Sequence, residues 1–419
     1  MSAPYDLVVL GLGTAGSAVA ALAAERGLRV LGLDARPLGE TGARWINGVP
    51  AWAFDEAGLP PPQSLASGAP FHMLAGKGPT RSVIHEHDLL EVDMPALSAQ
   101  LQRKARAAGA ELRGGVKVSS VQGAVVAHSQ GSAQARVVVD ATGLSGLGLL
   151  RAGPERGPLC VAAQEIRELA DPQGAAAFFA AHGVPLGQTL CWTGIAGGYS
   201  IVNVQVHGDH VALLTGSVPA EGHPSGPKML AAFVRENPWV GAKRSGGSRA
   251  LPLGAPLDCV GRGPHAAIGD SANMVYSAHG SGIAQQLLAA RLLADVLAGG
   301  GDAWAYNVAW QRQRGGPLSG MVLFRRFSQT LDPQALGRLM EAGILGPGLS
   351  AQTLTQRDPR PALEEALRAG LGLARNPGLA RRLLPVLGRM QAVELHHKRY
   401  PQDPGALEGW SEARDRLMG

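Results

Sequence analysis

Tyr276, Ser277 and His279 stand directly ahead of the turn Gly280-Ser281-Gly282-Ile283, so groups able to move a proton sit beside a stretch of nearly bare backbone. An unperturbed histidine titrates near neutrality, which makes His279 the first candidate for a direct proton role, with shaping of the turn as its structural alternative. Tyr276 shares that neighbourhood. Tyr199, in a segment of alternating polarity, is a third candidate hydroxyl, against the alternative of ordinary strand packing. The chemistry these residues suggest is to orient a substrate, exclude water and move a proton for a cofactor that carries the electrons.

Two glycine signatures more than two hundred residues apart would hold that cofactor. In Gly11-Leu12-Gly13-Thr14-Ala15-Gly16, the first glycine permits a tight turn and the second admits a pyrophosphate. The third lets helix and strand pack closely. The apolar run 5–10 precedes this turn as a buried strand, and the Ala-rich segment 14–26 follows as a helix whose amino terminus faces the phosphates. A second strand, 29–33, ends at Asp34-Ala35-Arg36, where a carboxylate can bind ribose hydroxyls. The other signature is Gly269-Asp270 followed by Gly280-Ser281-Gly282-Ile283 and a helix over 283–297. Asp270 can meet a ribityl chain, and free N–H groups at the helix start can meet the electron-rich edge of a flavin. Together the two predict extended FAD rather than a resident nicotinamide; NAD(P)H is expected only as a transient reductant.

Composition agrees with a folded enzyme. The 419 residues allow two or three domains, and 58 glycines with 17% charged residues suit tight α/β packing and exclude disorder. A net charge of +5 without a basic block interleaved with aromatics indicates a solvated surface and no nucleic-acid partner. Cys160, Cys191 and Cys259 form no CxxC pair, so reduced thiols and a cytoplasmic location are expected. A first strand at about residue 5 leaves no room for a signal peptide, and no run of eighteen apolar residues suggests a membrane span.

The expected elements alternate between two sheets. An irregular excursion follows Asp34; then come a strand over 82–87, a helix over 95–109 with Leu97, Leu101 and Ala105 on one face, and a hairpin over 116–128. A strand over 136–140 ends in Ala141-Thr142-Gly143. From 155 to 255 period-two segments such as 200–207 predict an antiparallel sheet with one face on a pocket, and from 303 onward only helical periodicity remains. The fold class is therefore α/β: a discontinuous Rossmann-type FAD domain (1–40, 88–155, 255–300), an interleaved antiparallel substrate domain (41–87, 156–254) and a carboxy-terminal helical segment (301–419).

Gly11–Gly16, Val138–Gly143 and Ile268–Gly282 together resemble the FAD-dependent oxidoreductases that include para-hydroxybenzoate hydroxylase and the geranylgeranyl reductases. The reductase branch is the nearer resemblance: Thr41-Gly42 and Gly58-Leu59 fall where that branch carries Cys-Gly and Gly-Leu, and Gly197-Gly198-Tyr199 where it carries a cavity-lining Gly-Tyr strand. The chain departs from the pattern at Thr41 (usually cysteine), at Ile201 and Asn203 (usually Trp and Phe) and at Ser277 (usually proline). Asp140-Ala141-Thr142-Gly143 replaces the hydroxylases' Asp-Gly pair, and neither Trp192-Thr193-Gly194-Ile195 nor Ala51-Trp52-Ala53-Phe54 fits the halogenase Trp-x-Trp-x-Ile-Pro motif. The resemblance implies hydride transfer at a carbon–carbon bond of an apolar small molecule, with NAD(P)H or an electron-donor protein as reductant. A monooxygenase, a non-redox cyclase or isomerase, and a non-catalytic flavoprotein scaffold are the alternatives.

The remaining candidates have plainer readings. His85 and His87 would share a strand face, but no third metal ligand has a recognisable spacing, so no metal is expected. His396-His397 reads as surface, Cys191 as a buried thiol, and Arg151 as a phosphate contact or a solvated side chain. Leucines and arginines over 371–389 suit a bundle covering a cavity, with contact to a membrane surface left open.

Overall fold

In the computed structural model, which describes residues 4–64, 68–150 and 158–419, Leu7 to Leu10 are at most 1% exposed. The strand Tyr5–Leu10 is thus buried on both faces, as a central parallel strand should be. It pairs in parallel with Val30–Leu33 on one side and Gly131–Asp140 on the other. Glu111–Arg113 extends the first side and His265–Ala267 the second, both parallel. Helices Thr14–Glu25, Met94–Ala107 and Ile283–Ala298 contribute to the main core against this sheet. Leu97, Leu101 and Ala105 are buried there, on the face their spacing predicts. The strand expected over 136–140 starts earlier, at Gly131, because its first residues pair with the hairpin Val118–Gln122 and Val125–His128.

The second sheet has seven strands among the described residues, ordered Val240–Pro252, Leu159–Leu169, His210–Ser217, Ser200–His207, Thr189–Thr193, Phe71–Ala75 and Arg81–Ile84. Its pairings are antiparallel except between Thr189–Thr193 and Phe71–Ala75. Val202, Val204 and Val206 face a core with Phe179, Met229 and Trp239, supplied partly by helices Pro172–Ala181 and Gly226–Glu236. The alternate residues Ile201, Asn203 and Gln205 face a cavity.

Three expectations need correction or fall away. The strand over 82–87 stops at Ile84, because its partner begins at Phe71, opposite Ile84; His85 and His87 therefore do not share a strand face. His397 is core, not surface: it is 1% exposed, packed where Gly315 and Gly316 leave no side chain of their own. Arg151 lies outside the described residues. From Ala303 onward the regular structure is helical, as the periodicity indicates.

Candidate cofactor and substrate site

Steric geometry at the first turn admits only glycine at two places. Gly11 has φ +92°, and a Cβ on it would come within 2.5 Å of the Ala141 carbonyl oxygen. A Cβ on Gly16 would fall on the carbonyl oxygen of Gly11. Gly13 differs: its φ of −70° suits any residue, but a Cβ would stand 3.2 Å from the Gly42 Cα at the cavity wall. Asp34 braces this turn, its Oδ2 accepting from the Leu12 N–H at 2.7 Å and its Oδ1 from the Arg36 N–H at 2.8 Å. Ala35 and Arg36 are exposed beside it.

Thr14–Glu25 begins without a side-chain cap or an acidic residue in its first turn, and so does Ile283–Ala298. Met94–Ala107 and Ala303–Trp310 are instead capped by Asp93 and Asp302. The two helix starts at the cavity thus keep free N–H groups and the positive end of the dipole for a ligand.

The second signature folds against the first. A Cβ on Gly269 would lie 3.2 Å from that of Ala15. The Asp270 side chain is 9% exposed, 3.1 Å from Arg249 Nη2, and its Oδ1 accepts from Gln286 Nε2 at 3.1 Å. Burial raises the Asp270 carboxyl above its ordinary range, opposed by the Arg249 guanidinium. Asp270 therefore reaches a ribityl chain only alongside these two partners, which sequence reading did not supply.

Gly13, Thr14, Ala15, Gly42, Ala141, Gly143, Gly269, Asp270 and Gly280 to Ile283 all line one cavity of about 660 Å³. Thr142 supports it from behind, its N–H and hydroxyl donating to Asp140 Oδ1 at 3.1 and 2.6 Å. Thr41, also expected at the cofactor, is 3% exposed and accepts from Gln102 Nε2 at 2.8 Å. Gln102 also donates to the Leu12 carbonyl at 3.0 Å, so Thr41 helps to lock the glycine turn at the position where the reductase pattern has a cysteine. The open amides, the bare glycines and the Asp34 carboxylate fit an extended dinucleotide.

Of the proton-transfer candidates, the fold brings two to the cavity. Tyr199 lines it, its hydroxyl so close to Gly280 that a Cβ there would be 2.6 Å away; burial pushes the phenol well up, so it stays protonated. His279 also lines it, with Nδ1 lacking a hydrogen-bond partner. Burial lowers the imidazole to about 4 rather than leaving it near neutrality. It is neutral at pH 7. Tyr276 is fully buried, does not line the cavity, and donates its hydroxyl to the Arg357 carbonyl at 3.2 Å.

His279 and His397 have a common consequence for stability. Both are lowered by burial, to about 4 and about 3, from an ordinary value of 6.5. The unfolded chain then binds protons that the folded chain refuses, so stability present above pH 6.5 is lost as pH falls toward 4. His279→Asn is expected to remove roughly half of that slope, His397 retaining the rest, as measured by chemical denaturation at stepped pH.

Beyond the cofactor region the cavity is mostly apolar. Cys191, Ile201 and Leu214 line it from the antiparallel sheet, with Trp45, Phe71 and Met73 beside them. Trp192 points into the opposite core. Burial pushes the Cys191 thiol up to about 12, so it is inert packing. The carboxy-terminal helices form a roof: Phe324, Leu336, Leu345 and Leu354 close the cavity from that side. His87 reaches its edge, its Nε2 sharing a hydrogen bond with the Ala69 carbonyl oxygen.

Arg249, Gln286 and Gln102 are the site residues that sequence reading missed. Gln102 had a signal, a polar residue adjoining the apolar face that carries Leu101 and Ala105. Arg249 had none, since its partner is distant in the chain.

No family model matches the chain. Over 99% of its length, and 97% of the relative's, it is 23% identical to a digeranylgeranylglycerophospholipid reductase of Sulfolobus acidocaldarius. Among solved structures it resembles a geranylgeranyl bacteriochlorophyll reductase-like protein from Thermoplasma acidophilum, with a TM-score of 0.74 and 17% identity, covering 91% of this chain and 99% of that one. PqsL from Pseudomonas aeruginosa, described as a probable FAD-dependent monooxygenase, aligns with a TM-score of 0.58 and 16% identity over 84% of this chain and 99% of that one. The fold is shared by reductases and oxygenases alike.

Proposed function

We propose that this chain, which resembles in its motifs and fold the FAD-dependent group of geranylgeranyl reductases and para-hydroxybenzoate hydroxylase, reduces carbon–carbon double bonds in an apolar, isoprenoid-bearing small molecule. Bound FAD would supply the hydride. The observation that carries the reading is continuity: both glycine-bearing helix starts open on the same cavity whose far walls are the second sheet, with Ile201, Leu214 and Phe71, and the helical roof. Gly13 to Ala15 and Asp34 would hold the adenosine and phosphates, and Gly280 to Ile283 with Asp270 the redox ring and its ribityl chain.

The protein's own tasks are then to exclude water and place a proton. The roof does the first. Tyr199, protonated and beside Gly280, is the group best placed for the second, with neutral His279, the residue before Gly280, lining the same cavity. Tyr199→Phe is expected to lower kcat about tenfold or more with FAD binding unchanged; an unchanged kcat would reduce the hydroxyl to packing.

The deciding experiment is a visible spectrum of the purified protein, anaerobic titration with NADH and NADPH, and mass analysis of a geranylgeranyl lipid after turnover. A gain of two hydrogens per reduced bond supports the proposal. Substrate-dependent oxygen uptake with an oxygenated product would replace it with the monooxygenase reading. A colourless protein that cannot be reconstituted with FAD would end both.

A further inference from the structure

Helix Leu363–Arg375 has two apolar faces, and only one is used. On the inner side a Cβ on Gly372 would come within 2.6 Å of the Ala342 Cα, and Leu373 packs against the cluster that holds Leu336 and Leu339. On the outer side Leu363, Leu367 and Leu371 recur every four residues and are 78, 61 and 60% exposed. That spacing aligns side chains along one helix face. Leu384, on the following helix Pro377–Lys398, is a further 54% exposed. No described residue covers this stripe, and a row of large exposed leucines marks a surface that meets something apolar.

The charge around the stripe identifies the partner. Residues 363–393 hold five arginines against two carboxylates, Glu364 and Glu365 in the first turn of the helix; Glu364 pairs with Arg368, and Arg375 and Arg381 are exposed. We propose that this helix pair docks on an anionic phospholipid bilayer, leucines entering the acyl boundary and arginines meeting the headgroups. A second copy fits less well, because a two-fold contact would set the same arginines against each other. An embedded surface helix suffices, since among the described residues no helix is long and apolar enough to cross a membrane.

Docking would place the cavity beside the lipid phase. Leu373 and Leu379 of the helix pair share a core cluster with Leu336 and Leu345, which line the cavity. An apolar substrate could then pass from bilayer to cavity without crossing water; this purpose rests on the function proposed above, whereas the docking itself does not.

The test is co-sedimentation of the full chain with vesicles of phosphatidylcholine alone or mixed with phosphatidylglycerol, read as protein recovered. Binding is expected on the anionic vesicles and about tenfold weaker on neutral ones. Leu367→Glu with Leu371→Glu should weaken binding at least about tenfold, and Arg375→Glu with Arg381→Glu should remove the anionic preference. Melting temperatures close to that of the parent would establish that both variants are folded. Failure to bind anionic vesicles, or binding unchanged in the leucine variant, would overturn the proposal. So would a concentration-dependent dimer in sedimentation velocity that the leucine variant abolishes. None of these readouts depends on flavin or turnover, so they stand apart from the fate of the functional reading.

Discussion

Gly13→Val is expected to lower FAD affinity by at least about 100-fold while the protein remains folded, because its side chain would occupy the space a pyrophosphate needs. The backbone at Gly13 has φ −70°, so the substitution imposes no left-handed strain, and the Cβ meets only the backbone of Gly42, its Cα at 3.2 Å and its N at 3.7 Å. Gly16→Ala is the contrasting variant. Its Cβ would land on the Gly11 carbonyl oxygen inside the packed turn, so it should lose the fold along with the cofactor. Flavin retained after gel filtration, read together with the melting temperature, separates the two. Retention of FAD by Gly13→Val would mean that no phosphate passes over that turn.

Arg249→Ala is expected to destabilise the protein by about 2 kcal/mol at neutral pH, below the usual cost of breaking a buried pair because Arg249 is itself a third exposed. The loss arises from Asp270, left in a buried site with only Gln286 beside it. The pH dependence has a definite sign. Burial raises the folded carboxyl above its unfolded value, so the folded chain holds the proton longer and the contribution of Asp270 to stability falls as pH rises through that window. Removing Arg249 raises the carboxyl further and should steepen the fall. Arg249→Ala with Asp270→Asn should recover most of the stability, since a neutral amide needs no counter-charge. Thermal melts of the single and double variants from the ordinary carboxylate value of 3.8 up to about pH 8 give the comparison. Equal destabilisation in both would show that the arginine matters through packing.

The two pairs of variants probe features of different legibility. What sits around Gly11–Gly16 could be read from the chain because its causes are local: a tight turn, a Cβ with no room, an alanine-rich helix start. The alternation of Ile201, Asn203 and Gln205 with Val202, Val204 and Val206 was readable for the same reason, since a strand sends neighbouring side chains to opposite faces. His279 shows the limit. Its position beside the glycine turn followed from sequence, but its ionisation did not, because desolvation depends on what every other element packs around it. Tyr276, three residues away, turns out of the cavity altogether.

By itself, then, the sequence determined the glycine turns, the alternating strands and the run of carboxy-terminal helices, all products of steric and periodic rules acting over a few residues. Tertiary structure alone decided that Arg249 meets Asp270, that Thr41 serves Gln102 rather than the cavity, that His397 is core and that Phe324 and Leu336 close the roof. Each of these joins segments far apart in the chain, and such pairings are fixed by how whole sheets and helices stack, for which no short stretch of residues carries a signal.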